Sequence, residues 1–240
     1  MALPYTFELK QFNEFGAIWK YAVIKTALAN VKPEIINAKM SQKPHIGING
    51  GFFHADNGYD NPPTGLRSIS YWKGETAKYE YNGTASKQIS RKTFVTYTDT
   101  ATSTTVKAAY MYASNLTEVL NRYPHARAVI GGNDYNEESW GTLPIIDYPK
   151  YYLATWRTVL AYDNTHAYMI VVHDRMVNIP TLKNHMVTMG FDPVKSVVLD
   201  GSGSSTMRVV ENDTVKWYGA PERDRYIGNM VRVYGIDWFS

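Results

Sequence analysis

Val198-Leu199-Asp200-Gly201-Ser202-Gly203-Ser204-Ser205-Thr206 runs from an apolar segment into a glycine-hinged turn rich in hydroxyls. The uncharged run 196–199 is predicted to be a short strand buried on both faces, at the centre of its sheet. It ends in a carboxylate, Asp200. Behind it, Gly201, Ser202, Gly203, Ser204 and Ser205 offer backbone N–H groups and hydroxyls, a nest suited to an anion. A carboxylate beside an anion site suits acid/base or nucleophilic work on a phosphorylated substrate, although the same residues also suit a surface hairpin. No Gly-Lys-Ser/Thr follows, which excludes a P-loop, and no helical pattern opens behind the turn, which excludes a dinucleotide fingerprint. The G-x-S-x-G hydrolase elbow is out of register.

Outward from this stretch, strand and hairpin signals dominate. Residues 5–12 and 18–26 alternate or carry β-branched and aromatic side chains across a turn at 13–16. Segments 93–98 and 106–112, 157–162 and 167–172, and 207–211 and 215–218 read as further strand pairs, with 128–130 and 230–236 as single strands. Pro33 with Ile35, Ile36 and Met40 predicts a short amphipathic helix. Asn115 and Glu118 form a capping box ahead of Leu116, Val119 and Leu120. A second helix is expected after Pro180, with Ile179, Leu182, Met186 and Met189 on one side and Gly190 as its stop. Residues 53–66 and 133–151 read as long polar loops. The predicted fold class is α+β: one domain over 1–240, with a mixed, twisted β-sheet core and short flanking helices.

A second unusual stretch is Ile48-Asn49-Gly50-Gly51-Phe52-Phe53-His54. Gly50 and Gly51 at a strand end let the backbone approach a ligand closely, and Asn49 beside them can both donate and accept. An Asn-Gly-Gly run also makes an ordinary turn. The strand ending at Asn49 is expected to finish close to Asp200.

Composition narrows the function. The chain has 240 residues, 25 Lys+Arg against 22 Asp+Glu, a net charge of +3 and no cysteine. There is no basic run to track nucleic acid. Disulfides, thiolate metal sites and a cysteine nucleophile are excluded. Neither a signal peptide in MALPYTFELKQF nor a membrane-length apolar run is present, so a soluble, cytoplasmic protein is expected. Asp56, Asn57 and Asp60 do not match the EF-hand spacing, and no histidine pair has zinc-motif spacing. No metal site is therefore assigned and no cofactor is required, with room left for a Ca²⁺ or Mg²⁺ ion.

Taken in order, the motifs resemble the phosphodiester glycosidase family. They are Asn49–Phe53, the loop Pro62-Pro63-Thr64-Gly65, Arg157-Thr158 opening a hairpin, Thr181-Leu182 through Gly190, and Leu199–Met207. The resemblance spans about residues 45–236. Ser202 stands where the family has a glycine, and Ala161 replaces the glycine that closes the Arg-Thr motif.

The resemblance implies a hydrolase that cleaves between a sugar anomeric carbon and a phosphate, on a small-molecule or glycan phosphodiester of N-acetylglucosamine or nucleotide-sugar type. Asp200 is then the carboxylate acting at the anomeric carbon. Arg157 and the 201–205 turn hold phosphate, and Asn49 takes a sugar hydroxyl or acetamido group. Arg67, His54 and His173 are further candidates for substrate contact, and Asn133 and Asp134 fit either substrate contact or turn chemistry. The alternative is a binding module for sugar phosphates or nucleotide sugars without turnover, of phage or virion type; a bacterial or phage source suits either.

Overall fold

The structure, a computed structural model, describes residues 3–140, 150–220 and 224–238. Part of the expected 133–151 loop, residues 141–149, lies outside the described residues. The chain opens with the hairpin β1 (Tyr5–Glu14) and β2 (Ala17–Ala27). Its turn is left-handed at Phe15 and Gly16, the conformation that matches strand twist in a two-residue loop. With β11 (Thr158–Tyr162), β12 (His166–His173) and β13 (Ser196–Val198) it makes a five-stranded sheet in the order β1-β2-β12-β11-β13.

A second five-stranded sheet has the order β15-β14-β4-β16-β3. Its strands are β3 (Val31–Lys39), β4 (His45–Asn49), β14 (Thr206–Glu211), β15 (Thr214–Gly219) and β16 (Tyr226–Asp237). A four-stranded sheet joins β7 (Ser70–Trp72), β10 (Ala126–Gly131), β8 (Arg91–Tyr97) and β9 (Lys107–Ala113). The two-residue strands β5 (Phe53–His54) and β6 (Gly65–Leu66) pair inside the region expected to be loop.

The main core lies between the two five-stranded sheets. Ile24, Leu160, Met169, Val197 and Leu199 meet Ile46, Ile48, Met207, Val209 and Val231 there, and Phe94 and Ile130 enter from the third sheet. Full burial of such side chains contributes about 1.5–3 kcal/mol each. Helix α2 (Ile179–Thr188) covers the outer face of the first sheet with Ile179, Leu182 and Met186. Asn178 caps it through Thr181 N–H at 2.9 Å. Helix α1 (Leu116–Arg122) covers the third sheet with Leu116 and Val119. Its capping box is offset by one residue: Asn115 accepts from Glu118 N–H, while Glu118 accepts from Ser114 N–H. Among the described residues no helix is long and apolar enough to cross a membrane.

Three expectations need correction. The segment after Pro33 is not a helix but β3, an edge strand paired only with β16. An edge position tolerates a proline that cannot donate, and a bulge at left-handed Asn37 absorbs the irregular apolar spacing that imitated a helix. The sheets are not mixed: among the described residues every ladder between strands is antiparallel. Finally, β13 is an edge strand rather than a central one. It is buried nonetheless, because Asn133 bridges its outer side by exchanging N–H···O bonds with Val198 at 2.8 Å.

Candidate active site

The ends of β4 and β13 and the starts of β11, β14 and β16 meet at one rim. Asn49 closes this junction. Its Nδ2 donates to the Asp200 carbonyl at 2.8 Å, and its Oδ1 accepts from the Thr158 hydroxyl at 2.6 Å and Thr206 N–H at 3.1 Å. Asp200 N–H in turn donates to the Gly50 carbonyl at 3.1 Å. The expected approach of Asn49 to Asp200 is present. The carboxamide is occupied by these protein partners and fixes the Asp200 main chain at the junction.

The paired glycines serve the same packing. A Cβ on Gly50 would stand 2.4 Å from Asn229 Oδ1, and one on Gly51 would stand 2.6 Å from the Gly131 carbonyl. Asn229 is 1% exposed, and among the described residues neither its Oδ1 nor its Nδ2 has a hydrogen-bond partner. An unpaired buried amide beside Gly50 is a costly feature at the centre of the site.

The 201–205 turn folds back on Asp200, where hydrogen bonding from the Ser204 hydroxyl and Gly201 N–H pulls the carboxyl pKa down. Other N–H groups of the turn are committed internally: Ser202 to Trp156 O, Ser204 to Gly201 O, and Ser205 to Ser202 O. Ser202 is left-handed, at φ 58°, which accounts physically for the glycine the family places there. A Cβ on Gly203 would press on the Arg225 guanidinium at 3.1 Å. Ser205 is fully buried, and its hydroxyl has no hydrogen-bond partner among the described residues. Burial pushes the Asp200 carboxyl up from the ordinary carboxylate range, against the opposing pull of Ser204, Arg225, Gly201 N–H and Lys150.

Arginines surround this carboxylate. Arg157 is 4% exposed, stacks on Trp140 with its guanidinium 5.2 Å from the ring centre, and donates to the Val177, Lys150 and Leu153 carbonyls at 3.2, 2.9 and 2.8 Å. Its Nη1 lies beside Gly201. Burial lowers its pKa to about 10, with the Asp200 charge opposing. Most of its fork thus staples neighbouring loops. Arg91 and Arg225 carry no motif signal, yet both belong to the site. Arg91 donates to the Arg67 carbonyl at 3.1 Å, lies over Phe52, and senses the Asp200 charge. Arg225 donates through Nε to Ser204 Oγ at 3.1 Å and lies 3.8 Å over the Tyr59 ring. Arg225 lies 21 positions beyond Ser204 in sequence, and the fold brings the two together.

The remaining candidates sit further out. Arg67 is half-buried, and its Nη1 donates to the Leu66 carbonyl at 2.9 Å. His54 is exposed on the β5–β6 hairpin, 3.4 Å from Asp56. His173 ends β12, with Nε2 3.0 Å from Asp174 Oδ1. Asn133 bridges Val198 and donates to the Ser139 carbonyl, while Asp134 is buried and accepts from Tyr112. Among the described residues, no three His, Asp or Glu side chains gather as a metal-binding group.

At this rim the strand ends of a β-sheet protein gather the half-buried Asp200 and three arginines that feel or alter its charge. The chain belongs to the phosphodiester glycosidase family, whose sequence profile matches residues 42–234. The catalytic domain of zebrafish N-acetylglucosamine-1-phosphodiester alpha-N-acetylglucosaminidase, auto-inhibited by its pro-peptide, shares the fold. Its TM-score is 0.67 at 14% identity, over 97% of this chain and 83% of that one. A hypothetical protein from Synechocystis is also similar, with a TM-score of 0.53 at 13% identity over 95% and 62% of the two chains. No curated protein sequence matches.

Proposed function

We propose that this protein hydrolyses sugar-1-phosphodiesters at the anomeric carbon, with Asp200 as the catalytic carboxylate. The observation that carries this reading is the surroundings of Asp200: a half-buried carboxylate fixed by Ser204 and Gly201 N–H, with Arg225, Arg91 and Arg157 near enough to feel its charge. Membership of the family supports the reaction class.

In this reaction water oxygen adds to the anomeric carbon and the C–O bond to phosphate breaks, its electron pair leaving with the phosphate monoester. Asp200 serves either as the base that takes the water proton or as the nucleophile that water later displaces. Burial, which raises its pKa, makes the ionised carboxylate a stronger base. The departing phosphate is a good anion and needs little protonation, so the guanidinium groups stabilise it in place of a general acid. Arg225 and Arg91 hold phosphate from the two sides of the turn, and Arg157 contributes through Nη1.

The test is release of free reducing sugar from a panel of sugar-1-phosphodiesters, including nucleotide sugars, by the wild type and by Asp200→Asn. The variant is expected to keep its fold by circular dichroism and to lose about 10²–10⁴-fold in rate. Full activity in a folded variant removes Asp200 from the chemistry. Binding without release by the wild type points instead to a sugar-phosphate binding module.

A further inference from the structure

Strand β1 is a long, regular sheet edge. It pairs with β2 alone, over all ten residues Tyr5–Glu14 and without a bulge. Its hydrogen bonding follows from the hairpin turn. In a two-residue loop the flanking residues, here Glu14 and Ala17, form a hydrogen-bonded pair, and bonded and free pairs then alternate along the ladder. The even residues from Thr6 to Glu14 therefore bond β2. Tyr5, Phe7, Leu9, Gln11 and Asn13 turn their N–H and C=O groups outward, and among the described residues none of these groups has a backbone partner. Other edges of the two large sheets are blunted: β3 carries Pro33 and a bulge, and β13 is bridged by Asn133. Such devices keep an edge from pairing with another chain, and β1 has neither.

We propose that β1 pairs antiparallel with β1 of a second copy of this chain, Leu9 against Leu9 on the two-fold axis, so that two five-stranded sheets join edge to edge. A two-fold centred on an outward residue lets the free groups of both strands face one another. Centring it on Leu9 engages the whole edge: Tyr5 meets Asn13, Phe7 meets Gln11, and Leu9, 37% exposed, gains an apolar neighbour. Charge selects the same register. Glu8 of each copy stands opposite Lys10 of the other, in the pairs where side chains come closest. Within one chain the two lie 3.2 Å apart, and on β2 they face only Val23 and Tyr21. The four charges then alternate around the axis. A two-fold at Gln11 would instead set Glu8 against Glu14, and one at Phe7 would set Glu8 against Thr6, with no opposite charge in either case. The Leu9 register also carries Phe15, 99% exposed at the hairpin tip, beside Pro4 of the other copy. There a cavity of about 370 Å³ opens, lined by Pro4, Tyr5, Thr6 and Lys25.

The test is the mass in solution, by sedimentation velocity over a dilution series of the full chain. The wild type is expected to form a dimer that dissociates on dilution. Leu9→Pro removes an outward N–H that β2 does not use, so it is expected to keep the strand by circular dichroism and to sediment as a monomer. Glu8→Lys sets lysine against lysine on both sides of the axis and is expected to weaken the dimer by about tenfold. Adding Lys10→Glu to Glu8→Lys restores opposite charges and is expected to return the dissociation constant to within about threefold of the wild type, a rescue that general damage to the strand would not show. A wild type that stays monomeric at every concentration overturns the proposal. So does a dimer that survives Leu9→Pro with the strand intact, or a loss in Glu8→Lys that Lys10→Glu fails to repair. Where Leu9→Pro costs the strand itself, the two charge reversals decide alone.

Discussion

Asn49 Nδ2 donates to the main-chain carbonyl of Asp200 across 151 positions of sequence. With Thr158 and Thr206 bound to the same carboxamide, one side chain ties the ends of both five-stranded sheets together. Replacing it with alanine strands a buried hydroxyl and a buried N–H, at about 1–3 kcal/mol each. Asn49→Ala is therefore expected to lose about 2–4 kcal/mol of unfolding free energy in a urea titration, together with activity. A loss below about 0.5 kcal/mol would mean that this clasp contributes little to the fold.

Ser204 stands between Asp200 and Arg225, donating to one and accepting from the other. Its hydrogen bond holds the Asp200 pKa down against burial. Ser204→Ala removes that pull, so the carboxyl titrates at higher pH. The acid limb of the kcat/KM profile, which reports this ionisation if Asp200 acts as a carboxylate, is expected to move to higher pH. A limb that stays in place assigns it to another group.

The strands around the site were legible because their cues are local: alternation, Asn-Asp or Asp-Asn turns, and glycine stops at helix ends. Asp200 and Asn49 were legible because glycines flank them. Arg91 and Arg225 were not, since an arginine in a polar run looks solvated until distant strands close around it. The 201–205 turn was legible as glycine-hinged and hydroxyl-rich, but not its fold back onto Asp200, because the hydrogen bonding of Ser204 and Gly201 to that carboxyl is fixed by the turn's three-dimensional path. Helix and strand also compete for Pro33–Met40, where the apolar spacing fits both. Only the partner strand 226–237 decides between them.

Ser202 occupies left-handed backbone at φ 58°, where a side chain costs about 1 kcal/mol relative to glycine. It is also exposed, with no packing to lose. Ser202→Gly is expected to hold stability or raise it by up to about 1 kcal/mol, since glycine's greater unfolded-state entropy offsets part of the relief. The urea midpoint measures this. A fall of about 1 kcal/mol or more would show that the serine hydroxyl has a structural partner in solution.

Glu34 carries the clearest acid-sensitive contribution to stability. His45 Nε2 lies 3.3 Å from Oε1, and Arg232 Nε lies 2.6 Å from Oε2, an ion pair off the hydrogen-bond direction. His45, ahead of Arg232 and Lys32, lowers its pKa from 4.5 to about 2 despite the opposing effect of burial. A carboxylate depressed in the folded state stabilises fully above its unfolded pKa, and that stabilisation is lost as pH falls through the folded one. The wild type is therefore expected to exceed Glu34→Gln in unfolding free energy at neutral pH, with the difference shrinking between about pH 4.5 and pH 2. Paired urea titrations across that window measure it. A difference that stays constant with pH would mean that Glu34 is no better stabilised as a carboxylate in the folded chain than in the unfolded one, and that the acid sensitivity lies elsewhere.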